Sequence, residues 1–121
     1  GISIIAHPYR YLPGAYFKWK GLSLKDYPDG MEVANSRTSI LGNKRAKRFA
    51  EKVKKPMTGG SDAHFGFEVA NCYTSFEGSF REALKKGKTM GHGHGMGFCV
   101  AGTLSGLAKL THYLHLRERH G

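Results

Sequence analysis

The sequence predicts an α/β fold, and three observations carry that expectation. Short apolar runs of strand length alternate with amphipathic stretches of helical spacing. Turn and helix breakers separate them, notably Pro28-Asp29-Gly30, Pro56 and Gly87. Histidine- and aspartate-bearing motifs follow directly on the apolar runs, at the strand ends where α/β folds hold their ligands.

Taken in order, Ile2-Ser3-Ile4-Ile5-Ala6 reads as a buried strand closed by His7-Pro8. Residues 9–30 are aromatic and turn-rich, with a weak helical pattern inside 15–26. Met31-Glu32-Val33-Ala34 reads as a second strand. The clearest helix covers 43–54, where Ala46, Phe49, Ala50 and Val53 share one face and Asn43 is a suitable N-cap. Its other face carries Lys44, Lys47, Arg48, Glu51, Lys52 and Lys55. Pro56 ends it, and Met57-Thr58 leads into Gly59-Gly60. Residues 72–76 predict another strand. Ser79 and Glu82 have the spacing of a capping box at the start of a short helix ending at Gly87. Thr89-Met90 is a candidate last strand, Gly91 to Gly97 a glycine and histidine loop, and 103–118 a terminal helix with an apolar face.

The 121 residues weigh 13.4 kDa, which points to a single domain over 1–121. Hydrophobic residues make up 40%, enough for a core, which excludes a chain disordered over most of its length. No apolar run approaches the ~20 residues of a bilayer span, so no membrane association is expected. Lys and Arg number 19 against 9 Asp and Glu, a formal charge of +10 that favours anionic partners without choosing among them. Cys72 and Cys99 match no metal-knuckle spacing and no disulfide framework, so a reducing, cytoplasmic setting is the expectation. The chain opens with glycine and a strand-like run, as the C-terminal piece of a longer protein would.

Two segments carry chemistry. In Ala6-His7-Pro8-Tyr9-Arg10 a histidine follows a buried strand. In Gly59-Gly60-Ser61-Asp62-Ala63-His64 an aspartate and a histidine stand two apart, and in extended backbone such residues project to one side. That pair suits Zn²⁺, Mn²⁺ or Fe²⁺. Together with Gly30-Met31-Glu32-Val33-Ala34-Asn35, these motifs resemble the C-terminal half of the PHP (polymerase and histidinol phosphatase) domain family, including its PHP-associated region. The resemblance covers roughly residues 2–90, about three-quarters of the chain.

The resemblance implies the C-terminal part of a distorted (β/α)7 barrel whose N-terminal strands are missing from this chain. It implies a cluster of up to three divalent metals, Mn, Zn or Fe, with His7, Asp62 and His64 as ligands. The family's first motif, a His-x-His pair near its N-terminus, and its middle ligands are not found here. The implied activity is metal-dependent phosphoester hydrolysis on a phosphorylated small molecule or nucleic acid. In that site Arg10 and Arg37 are candidates to clamp phosphate. Glu32 and Asn35 are candidates to orient the ligands from behind. Each has a plain alternative: solvated arginines, a structural salt bridge, a loop hydrogen bond. An incomplete barrel exposes a sheet edge, so association with further copies or with a missing N-terminal segment is expected. The alternative function is a degenerate module that binds nucleic acid or a protein through its basic surface.

Overall fold

The computed structural model describes residues 1–10, 23, 26–95, 103 and 106–111. The helical pattern within 15–26 falls almost wholly outside them, as do Cys99, His112 and His115; of the terminal helix, 103 and 106–111 are helical.

Among the described residues the chain is a mixed α/β structure. Strands β1 (Ile4–Ile5), β2 (Gly30–Asn35) and β3 (Met57–Gly60) form a parallel sheet in that order. Strands β4 (Cys72–Ser75) and β5 (Met90–Gly93) form an antiparallel pair beside β3. Helix α1 (Ile40–Lys52) joins β2 to β3, and α2 (Phe80–Lys85) joins β4 to β5.

β1 is shorter than the apolar run suggests. Only Ile4 and Ile5 pair with β2, and Ile4 is exposed because β1 is an edge of the described sheet. Ser3 is tied instead to Asp29, whose carboxylate accepts its N–H at 2.7 Å and its hydroxyl at 3.0 Å. β2 is paired on both sides and almost wholly buried, as a central parallel strand must be.

Helix α1 begins three residues before its expected start. Ser39 is the N-cap, its hydroxyl accepting from the Gly42 N–H at 3.1 Å. The first turn, Ile40 and Leu41, is apolar but exposed, which hides the helix start from a periodicity reading. Asn43 acts elsewhere. Its side chain closes both main-chain groups of Asn35, donating to the carbonyl at 2.9 Å and accepting the N–H at 3.2 Å. Ala46 and Ala50 pack on Met31 and Val33, with Ile5, Tyr9, Phe49, Val53 and Met57 around them.

The β4–β5 pair fits closely on β3. The Thr74 hydroxyl accepts the Gly59 N–H at 2.9 Å and donates to the Gly59 carbonyl at 2.8 Å. A Cβ on Gly59 would lie 2.5 Å from the Tyr73 carbonyl oxygen, so only glycine permits this approach. β5 runs to Gly93, so the first half of the expected glycine and histidine loop is strand. Ser79 takes the N-cap position of α2, but its side chain makes no capping bond, so the capping box does not form.

Candidate functional site

The carboxyl ends of β1, β2 and β3 lie side by side, and the chain leaving them carries the polar residues singled out above. One irregularity in β2 decides how they meet. Glu32 pairs with Thr58 and Ala34 with Gly59, so Val33 is the extra residue of a β-bulge. Glu32 and Asn35, three apart, are thereby brought to one side, and the Asn35 amide donates to Glu32 Oε2 at 3.1 Å. Val33 and Ala34 are both buried.

His7 leaves β1 with φ +30°, and its N–H donates to the same Glu32 oxygen at 2.7 Å. Asp62 leaves β3 with φ +51°. Of the four non-glycine residues with positive φ among those described, His7 and Asp62 stand just past strand ends of one sheet, while Lys54 and Ala70 lie outside the site. Asp62 Oδ2 accepts from Arg10 Nη1 at 2.6 Å and, at a long 3.4 Å, from the Asn35 amide. His7, Glu32, Asn35, Asp62 and Arg10 are thus one connected network. Burial pushes the Glu32 carboxyl up from its usual range, against the His7 N–H and the Asn35 amide that favour its charge. The His7 Nδ1 nitrogen is buried without a hydrogen-bond partner.

His64 is held from beneath. The buried Glu68 carboxylate accepts the His64 N–H at 2.7 Å and the Phe65 N–H at 3.0 Å. Arg37 grips the same carboxylate through Nε and Nη2, each at 3.0 Å. Burial opposes the charge on Glu68, yet the His64 N–H, the Arg37 guanidinium and the Phe65 N–H hold its carboxyl below the usual range. The His64 ring is itself half exposed, with Nδ1 2.9 Å from the Asp62 carbonyl. A carbonyl only accepts, so Nδ1 carries the proton and Nε2 of the neutral ring carries the free lone pair.

The expected roles meet this geometry unevenly. Asp62 and His64 follow β3, but Asp62 is left-handed and the pair lacks the extended backbone on which its spacing argument rests; His7 is linked to Asp62 through Glu32 and Asn35. Among the described residues, however, no three His, Cys, Asp or Glu side chains are grouped closely enough to hold a metal ion. The orphaned His7 nitrogen, the Asp62 carboxylate and the His64 lone pair fit part of a donor set, not a whole one. Neither arginine stands free at an open edge: Arg10 pairs with Asp62, and Arg37 is buried against Glu68 because the strand end turns it inward. Asn35 does hold its loop, its Oδ1 accepting the Arg37 N–H and the Thr38 hydroxyl at 3.0 Å each. His92 lies apart on β5, bonded to the Ser75 hydroxyl and stacked on Tyr73. Glu68 was not expected. Its signal is a lone acidic residue set among Phe65, Phe67 and Val69, where a carboxylate that goes inside must find hydrogen-bonding partners.

A family model described as PHP-associated matches residues 41–89. This stretch is similar to a PHP-associated region. It contains Asp62, His64 and Glu68, while His7, Arg10, Glu32, Asn35 and Arg37 precede it. An uncharacterized protein of Methanocaldococcus jannaschii is 49% identical over 51 residues, which is 41% of this chain and 22% of that protein. The chain therefore matches about a fifth of the length of this curated relative. No solved structure matches. No helix among the described residues is long and apolar enough to cross a membrane.

Proposed function

We propose that the PHP-associated region, with the two motifs before it, supplies one rim of a metal-dependent phosphoesterase site inside a distorted (β/α)7 barrel. The observation that supports this reading most is the order of chemistry along the sheet: His7 after β1, Glu32 and Asn35 at the end of β2, Asp62 and His64 after β3. A bound Mn, Zn or Fe ion would supply Lewis acidity toward a phosphoryl oxygen and an activated water. In this reading His7, Asp62 and His64 would each lend a donor to a cluster of up to three such ions, completed by donors beyond this set.

The chain's own groups have clear roles in that reading. Glu32 fixes the His7 main chain, and its bond to Asn35 keeps both polar groups on the side of Asp62. The Asp62 carbonyl sets the tautomer of His64, so Nε2 offers its lone pair outward. Arg10 pairs with Asp62 and in this reading would turn to a phosphate only once a metal takes over that carboxylate.

The test is phosphate release by the full-length protein from a panel of phosphomonoesters, with metal content measured on the same preparation. Asp62→Asn and His64→Ala should each lower turnover by about a hundredfold or more with the folded circular dichroism spectrum retained, Asp62→Asn giving up only the stability of its Arg10 pair. Unchanged turnover in both variants would sink the proposal.

A further inference from the structure

We infer that Phe67, stacked on Phe65 beside His64, is a landing surface for a planar aromatic group carried by a phosphorylated ligand. The two rings are parallel within 5° with centroids 5.6 Å apart. Phe67 is nonetheless 62% exposed, and phenylalanine is a side chain that folded proteins usually cover. Gly66 lies between them, and a Cβ built there would meet nothing within 4 Å, so the segment is open on that side.

This is a fixed surface, not a loose loop. Both rings belong to a single 3-10 turn, Gly66–Glu68, and its entry. The turn is pinned by Glu68 to the main chain of His64 and Phe65 and to the Arg37 fork. The Arg37 guanidinium lies over the Phe65 ring, 5.9 Å from its centroid, so charge, ring and ring follow one another. A preorganised aromatic face costs a ligand little ordering entropy and favours a flat π-system over an aliphatic chain.

The phosphate end of the ligand rests on the phosphoesterase reading; the stacking does not. Phe67 is three residues beyond His64, a reach of at most about 10 Å. That is comparable to the separation of phosphate and base in a nucleotide. The charge of +10 suits the anionic end of such a ligand.

The experiment titrates the full-length protein calorimetrically with two probes, adenosine 5′-monophosphate and ribose 5-phosphate. The aromatic probe should bind about tenfold more tightly. Phe67→Ala and Phe67→Leu should each erase that difference, Phe67→Tyr should keep it, and ribose 5-phosphate should bind all four proteins alike. Circular dichroism checks that each variant folds, which an exposed ring makes the expected result. The inference is overturned if neither probe binds, if both bind equally, or if the leucine variant behaves as wild type. Phe67-dependent binding of the aromatic probe with no phosphate release from any ester would uphold the surface and overturn the phosphoesterase reading instead.

Discussion

Arg37 and Glu68 form a two-point fork beneath the main chain of His64, with both nitrogens 3.0 Å from carboxylate oxygens. Both side chains are almost without solvent contact. Removing one partner strands a buried charge, whereas removing both does not. Arg37→Met should therefore lower the melting temperature by more than about 5 °C, and the double variant Arg37→Met with Glu68→Leu should recover part of that loss. Thermal melts followed by circular dichroism check it; a single variant as stable as wild type would count against the fork as a support for His64.

Arg10 and Asp62 pair at 2.6 Å with side chains 13% and 22% exposed, between the surface and the fully buried case. A double-mutant cycle of Arg10→Met and Asp62→Asn should give a coupling of about 1 to 2 kcal/mol. Urea unfolding provides the four stabilities. A coupling near zero would mean that the contact does not hold the two loops together.

Gly59 and Gly66 predict opposite outcomes for the same substitution. A methyl on Gly59 would press on the Tyr73 carbonyl, 2.5 Å away, and on the Cα of Gly91, 3.2 Å away. Main-chain atoms of paired strands cannot yield cheaply, so Gly59→Ala should cost about 1 to 3 kcal/mol. Gly66→Ala meets open space and should stay within about 0.5 kcal/mol of wild type. Chemical denaturation of both variants decides.

The attachment of β1 should depend on pH. The Ser3 N–H, then the Ser3 hydroxyl, hold the Asp29 carboxyl below its ordinary range. A carboxyl depressed in the folded state stabilises fully above its unfolded value, about 3.9, and loses that contribution as pH falls through the folded value. Amide exchange gives a local reading. The Gly30 N–H donates to the Ser3 carbonyl, while the neighbouring Met31 N–H donates to Pro56. Protection of Gly30 relative to Met31 should drop as pH falls from about 4 to about 2, and Asp29→Asn should flatten that drop. Parallel behaviour of the two amides would contradict it.

The α/β alternation was legible because β2, α1, β3 and β4 each carry the local pattern of their element. The boundaries were not. Ser39 caps α1, but two exposed apolar residues follow it, so periodicity places the start at Asn43. That His7, Asp62 and His64 follow strands was legible from the apolar runs ahead of them. The bulge at Val33 was not, since it depends on how β2 registers with β3. Nor were the fates of Arg10 and Arg37. Sequence puts each beside a strand, but the carboxylates that claim them lie 52 and 31 positions away.

Those separations bear on the order in which the chain folds. Helix α1 closes its bonds over a few residues and can begin as soon as that stretch exists. The bonds joining His7 to Glu32, Arg37 to Glu68 and Arg10 to Asp62 span 25, 31 and 52 positions. Each needs a long loop to close before it returns any stabilisation. The polar rim is then among the last parts to assemble, after the helix and sheet have docked. A variant that weakens it should leave the refolding rate nearly unchanged and speed unfolding instead.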